Sequence, residues 1–270
     1  MPELPEVETS RRGISPYVVG QRIDNVVVRD RRLRWPVSKA IDSCLPGQTV
    51  RSIDRSAKYL LINTDNGTAI IHLGMSGSVS IVDRDTPAAV HDHFDFELGS
   101  GKSLRYRDPR RFGSLHWSTA PAEHWLLKDL GPEPLSDEFS GKELWTRSRG
   151  RRVSVKPFIM NANIVVGVGN IYASEALFIA GIHPQRQAGR IARARYDELA
   201  AAIKTVLTAA IKACGTTLRD FYGFNGQAGY FQQQLDVYGR DGEPCRRCLR
   251  PVSAIVLGQR ATYYCKSCQT

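Results

Sequence analysis

From Arg22 to Trp117 apolar and polar residues alternate in short stretches, the period of strands that bury one face. Val26-Val27-Val28, Tyr59-Leu60-Leu61-Ile62 and Ala69-Ile70-Ile71 are the apolar centres of three such stretches. Asn66-Gly67 separates the last two and favours a tight hairpin turn. Phe94, Phe96 and Leu98 alternate with polar residues, and Gly99-Ser100-Gly101 then turns the chain into Leu104-Arg105-Tyr106. Several short strands with regular turns predict a β-sandwich or barrel.

Helical patterns flank this region. Pro5 to about Gly13 forms a short predicted helix, with Pro5 suited to the first turn and Glu6 and Glu8 to the positive end of the dipole. Gly13 and Pro16 are expected to stop it, and it is expected to pack on the edge of the sheets. After Gly131-Pro132-Glu133-Pro134 the period changes. Ser140 and Glu143 have the spacing of a capping box, and Asn170 can cap a helix running to about Ala180, ended by Gly181 and Pro184. Leu199, Ile203, Val206, Leu207, Ala210 and Ile211 recur at helical spacing up to Gly215. The predicted architecture is α+β and multidomain: residues 1–130 a β-sandwich with flanking helices, residues 131–229 a helical domain with a glycine-rich loop over 215–229, and residues 230–270 a terminal module.

Composition adds a location and a partner. At 270 residues with 42% hydrophobic content the chain can hold more than one core. No apolar run approaches the ~20 residues of a membrane span, and the acidic, proline-rich start is no signal peptide. A soluble, cytoplasmic monomer is expected, with no membrane partner. The net charge of +10 is unevenly placed: residues 1–130 carry 18 basic and 16 acidic side chains, residues 131–270 carry 19 and 11. A basic second half fits a polyanion, with nucleic acid ahead of an acidic membrane; a solvated basic face is the plain alternative.

Four of the six cysteines form Cys245-x2-Cys248-x16-Cys265-x2-Cys268, the spacing of a four-thiolate zinc ribbon. A disulfide framework is the alternative, disfavoured in a reducing compartment. A closed four-cysteine site is structural, so the metal is not expected to be the catalyst.

The chemistry is concentrated at the N-terminus, Met1-Pro2-Glu3-Leu4-Pro5-Glu6-Val7-Glu8. Removal of Met1 exposes the secondary amine of Pro2 beside Glu3 and Glu6. About a tenth of an α-amino group is unprotonated at neutral pH, against almost none of a lysine. A secondary amine that attacks a sugar carbon gives an iminium with no N–H to lose, and that cation draws electrons for elimination at the next carbon. A rigid helix start is the plain alternative. Met75 lies in a glycine-flanked turn, and Arg110 and Phe112 follow the Asp108-Pro109 turn; they are either core-edge residues or side chains that wedge into a base stack. Arg147, Arg149, Arg151, Arg152 and Lys156 form a basic run, and Gly167-Val168-Gly169-Asn170 leads into a helix whose N–H groups can receive phosphate. Lys58 at a strand edge and Arg260 on a hairpin tip each suit a phosphate contact or plain exposure.

Taken together and in order, these segments resemble the formamidopyrimidine-DNA glycosylase family. The resemblance rests on Pro2-Glu3-Leu4-Pro5-Glu6-Val7-Glu8-Thr9, on the stretches 72–77, 108–113 and 166–175, on Gly181-Ile182-His183-Pro184, and on the cysteine module with Gln259-Arg260-Ala261-Thr262. It implies a bifunctional DNA glycosylase/AP lyase acting on oxidised purines in double-stranded DNA, with one structural zinc ion. It implies Pro2 as Schiff-base nucleophile, Glu3 as acid and Glu6 in support. Lys58 would act in β-elimination and Arg260 at phosphate in δ-elimination. Met75, Arg110 and Phe112 would fill the gap left by a flipped base, and His91, Arg110, Arg151, Lys156, Asn170 and Tyr172 would hold DNA. The helical segment would be a helix–two-turn–helix module, and the 215–230 loop, with Arg219 and Tyr230, would cap the lesion. Glu3 must be protonated to act as an acid, a state that burial favours. Two rival readings stay open: an endonuclease VIII-like enzyme for oxidised pyrimidines, and a catalytically silent DNA-binding protein.

Overall fold

The computed structural model describes residues 2–215 and 235–270. These fall into two compact units, residues 2–128 with 213–215 and residues 129–212 with 235–270. No helix among the described residues is long and apolar enough to cross a membrane.

The first unit opens with α1 (Leu4–Val18). The helix does not stop at Gly13 as its sequence predicts but runs through both Gly13 and Pro16. Ile14 and Val18, one turn apart on its inner face, are buried in the sandwich core, and that burial offsets the ~3 kcal/mol cost of a proline inside a helix. Pro16 and Arg12, whose carbonyl the ring deprives of a donor, are both exposed, so the unmatched oxygen faces water.

Then follow β1 (Ile23–Val28), α2 (Ala40–Cys44), β2 (Val50–Ser56), β3 (Tyr59–Thr64), β4 (Thr68–His72), β5 (Ser78–Asp83), β6 (Asp92–Leu98), β7 (Lys102–Arg107) and β8 (Ser114–Ser118). They form two antiparallel four-stranded sheets, ordered β1-β6-β7-β5 and β2-β3-β4-β8. The hairpin at residues 65–67 sets β3 against β4 with Leu61 opposite Ile70. Val26, Phe94, Phe96 and Leu104 from one sheet meet Ile53, Leu60, Ile62 and Ile71 from the other in one core. Phe94 and Tyr106 stack within it, 4.7 Å between ring centroids. The edge strands β2 and β5 lie against α1, and the opposite edges β1 and β8 lie against α2, so a helix closes each open side of the sandwich.

The second unit holds α3 (Gly141–Ser148), α4 (Val155–Ile159), α5 (Asn170–Ile179), α6 (Arg193–Lys212) and a hairpin of β9 (Ser253–Leu257) and β10 (Arg260–Tyr264). Ser140 caps α3 as expected, its hydroxyl accepting the Glu143 N–H at 3.2 Å. Asn170 does not cap α5; Gly169 takes that place and the Asn170 side chain is used elsewhere. Leu199, Ile203, Val206, Leu207 and Ala210 form the buried stripe of α6, which packs on α3 and α5. β10 packs on α5. The loop expected over 215–230, with Arg219 and Tyr230, lies beyond Gly215 outside the described residues.

Candidate active site and nucleic-acid interface

In the first unit the start of α1 is buried and rich in carboxylates. Pro2 is buried, Glu3 is 3% exposed and Glu6 is buried. The Glu3 N–H donates to Glu6 Oε2 at 2.8 Å, which closes the helix start on itself. Unpaired N–H groups and the positive end of the dipole favour carboxylates here. Gly215 approaches the same carboxylate: with φ of +81°, a Cβ built on it would lie 3.0 Å from Glu6 Oε1, so glycine suits this position on both counts.

Lys58 occupies the two-residue turn between β2 and β3, after Ala57, which is held at φ +53°. Glu8, a turn beyond Glu3 on α1, joins helix and hairpin through ion pairs to Arg11, Arg12 and Arg55. Burial alone would raise the Glu8 carboxyl, but hydrogen bonds from Arg11 and Arg12 and the charges of Arg11 and Arg55 outweigh it and hold the group down at about 2. Behind Lys58, the His72 ring packs on Tyr59 with 4.9 Å between centroids, and its Nδ1 accepts the Gly74 N–H at 3.0 Å. Burial, then the positive charges of Lys58 and Arg34, push His72 down to about 4, so it is neutral at physiological pH.

Met75 stands in the turn after β4 and is partly buried. Arg110 and Phe112 stand in the turn after β7; Phe112 is 44% exposed and the Arg110 guanidinium lies 4.9 Å from its ring centre. An exposed aromatic under a cation can stack on a base. His91 precedes β6 at φ +78°, its carbonyl accepting the Asp108 N–H at 3.0 Å.

In the second unit Arg151 and Arg260 are exposed, Arg260 opening β10 just after the Gly258-Gln259 turn. Lys156 is not exposed with them. At 1% exposure, its Nζ donates to Asn170 Oδ1 at 2.7 Å, Thr262 Oγ1 at 2.8 Å and the Ala261 carbonyl at 3.1 Å. Asn170 Nδ2 reaches the same Ala261 carbonyl at 3.0 Å. Lysine and asparagine together fasten α4, the start of α5 and the β10 strand. Tyr172 is fully buried in α5.

The cysteine sulfurs of 245, 248, 265 and 268 lie within 4.8 Å of one another, with 3.9 Å from Cys245 to Cys268 and 3.4 Å from Cys248 to Cys265. Zinc with ~2.3 Å bonds in a tetrahedron needs sulfurs ~3.8 Å apart. The set fits, and with four protein ligands it is a closed, structural zinc site. Phe178 packs against it from α5, under the Arg247 guanidinium at 4.4 Å.

Three contributors are absent from the sequence-based site. Glu8 and Asp108 lie inside the quoted motifs, but the partners that tie them to other elements, Arg55 and Ser76, are distant in sequence. Glu175 is a buried carboxylate whose two oxygens accept the N–H groups of Asp236, Val237 and Tyr238 at 2.7–3.0 Å. Its signal was available: it is the single charge in the apolar helix Asn170–Ile179.

The chain matches three family models in succession: the formamidopyrimidine-DNA glycosylase N-terminal domain over residues 1–115, the formamidopyrimidine-DNA glycosylase H2TH domain over 130–222, and the zinc finger found in FPG and IleRS over 242–270. It is 60% identical over 269 residues to the formamidopyrimidine-DNA glycosylase of Pseudomonas paraeruginosa, covering all of both chains. Its fold is similar to that of Lactococcus lactis Fpg in complex with an abasic site containing DNA, with a TM-score of 0.91, 33% identity and 99% of each chain covered. A variant of the same L. lactis protein, solved with Fapy-dG containing DNA, matches equally well, with a TM-score of 0.91, 33% identity and 99% of each chain covered.

Proposed function

The chain belongs to the formamidopyrimidine-DNA glycosylase family, a glycosylase and AP lyase of DNA repair, and from that membership we propose the substrate and the route. The substrates are oxidised purines in duplex DNA, chiefly 8-oxoguanine opposite cytosine and ring-opened formamidopyrimidines. The observation that carries the reading is the buried, carboxylate-lined start of α1, where Pro2 adjoins Glu3 and Glu6.

With Met1 removed, the Pro2 nitrogen attacks C1′ and forms the C–N bond while the glycosidic bond breaks and its electron pair leaves with the base. Glu3, buried and able to hold a proton, protonates the sugar ring oxygen as the ring opens to the iminium. Loss of a C2′ proton then expels the 3′ phosphate, a step assigned to Lys58 as proton carrier. A second elimination expels the 5′ phosphate, which Arg260 binds. The covalent route divides one hard cleavage into easier ones.

The wedge of Met75, Arg110 and Phe112 offsets the few kcal/mol needed to unstack a base. His91, Arg151 and Asn170 bind the backbone, and Lys156 acts through Asn170. Tyr172 completes the set, and Arg219 and Tyr230, which lie outside the described residues, are assigned to capping the lesion. The work divides among residues 1–130 for chemistry, 131–229 for DNA binding and 230–270 for the zinc finger, in a cytoplasmic monomer.

The test is borohydride trapping on an 8-oxoguanine·cytosine duplex with wild type, Pro2→Gly and Glu3→Gln. An adduct mapped to Pro2 is expected. Binding without an adduct would leave a silent DNA-binding protein, and trapping on thymine glycol alone would move the chain to oxidised pyrimidines.

A further inference from the structure

Met75 stands on the turn after β4, and Arg110 and Phe112 on the turn after β7. One buried carboxylate ties the two turns together. Asp108 has no exposed surface. Its Oδ1 accepts the Ser76 hydroxyl at 2.7 Å and the Arg110 N–H at 3.2 Å, while its Oδ2 accepts the Gly113 N–H at 2.8 Å and lies 3.1 Å from the Tyr106 hydroxyl. That hydroxyl is 3.4 Å from the carbonyl of His72, the last residue of β4. The Asp108 carbonyl is 2.8 Å from His93 Nε2, which fixes the aspartate to β6.

The turns also touch through backbone. A Cβ on Gly74, whose φ is +69°, would lie 2.4 Å from the Gly113 nitrogen and 2.5 Å from the Phe112 carbonyl carbon. A Cβ on Gly113 would meet the Tyr106 hydroxyl and the His72 carbonyl oxygen, so neither glycine can be replaced without parting the turns. Donors from both turns converge on one carboxyl group, whose two oxygens offer acceptor sites for all of them.

We propose that Asp108 is the positioning residue that locks the Met75 turn to the Arg110–Phe112 turn, so that the three side chains enter a base stack as one preformed wedge. This rests on the wedge role assigned above. Without the lock, each turn would have to be ordered separately while the base is being displaced, and that ordering would add to the barrier. Asparagine cannot replace it: with Oδ1 kept towards Ser76 and Arg110, its amide group would face the Gly113 N–H, donor against donor.

The experiment uses the full-length, zinc-loaded protein, with Asp108→Asn and the milder Ser76→Ala, which removes one link only. Single-turnover excision on an 8-oxoguanine·cytosine duplex is compared with borohydride trapping on a duplex carrying a preformed abasic site, where no base has to be displaced. Asp108→Asn is expected to lose about tenfold more on the base-bearing duplex than on the abasic one, with Ser76→Ala showing the same imbalance at smaller size. Amide exchange in residues 74–77 and 110–113 is expected to quicken together. Equal losses on both duplexes, or faster exchange in one turn alone, would overturn the lock. A wild type that traps neither duplex would sink the enzymatic reading instead, and amide exchange would still judge the coupling.

Discussion

Arg55 donates from Nη1 to the Ala57 carbonyl at 2.9 Å and lies 3.4 Å from Glu8 through Nε. It thus spans from α1, which carries the proposed nucleophile, to the turn that presents Lys58. Positive φ at Ala57 costs about 1 kcal/mol in a residue with a Cβ, so the turn needs an external hold. Arg55→Met removes that hold and leaves Glu8 its pairs with Arg11 and Arg12. Strand cleavage is expected to slow about tenfold relative to base release, as a misplaced catalytic group does. The measurement is the ratio of nicked strand to freed base at early times; an unchanged ratio would remove Arg55 from the positioning of Lys58.

The Glu8 carboxyl sits at about 2 in the folded protein and near its ordinary 4.5 when unfolded. The unfolded chain therefore takes up this proton first as pH falls, and the contribution to stability is complete above about 4.5 and lost as pH drops towards 2. Glu8→Gln is expected to be less stable than wild type at pH 7, with the gap narrowing between pH 4.5 and 2 in urea melts. A gap that stays constant through that window would mean the ion pairs contribute nothing.

Lys156 is a buried cation that reaches three acceptors among the described residues. Lys156→Met takes the ammonium donor from Asn170 Oδ1 and Thr262 Oγ1, while the Ala261 carbonyl keeps the Asn170 amide, at a cost of about 3 kcal/mol. Arginine is not expected to rescue it, because a planar fork cannot meet acceptors arranged around an ammonium group. Thermal midpoints decide the first point, and DNA binding by Lys156→Arg the second. Full stability in Lys156→Met would show the cation to be dispensable inside the protein.

One zinc ion per chain is expected by metal analysis. Cys265→Ser, which replaces a buried ligand, is expected to release it and to weaken DNA binding with loss of the β9–β10 hairpin. Retention of a full equivalent of zinc would point to a different ligand set.

Local signals made the strands, their hairpins, the α3 cap, the α6 stripe and the four cysteines legible in the sequence. Each depends on neighbours a few residues apart. The end of α1 was not legible, because Gly13 and Pro16 are local stop signals overruled by the distant core that buries Ile14 and Val18. Asn170 has the composition of a cap, but its side chain is drawn to Lys156 and to the Ala261 carbonyl. Lys156 itself closes a basic run and looked like its exposed neighbours; only the fold turns it inward. Asp108 could be seen as part of a turn, but Ser76 is brought to it by the pairing of β5 with β7. Most of the candidate site residues were named from the order of the motifs, while the side chains that hold them in place had to be found in three dimensions.

α1 carries Pro2 and Glu3 at its mouth and seals the open side of the sandwich along β2 and β5 with Val7, Ile14 and Val18. The end proposed to react and the seal are one rigid rod, so no loosening of the rod is private to either. A substitution at Ile14 that lets the helix shift would blunt the reaction before the protein melts, and one that firms the helix would protect both. Heat resistance and turnover in this enzyme are therefore tied together at α1, and selection for one there carries the other with it.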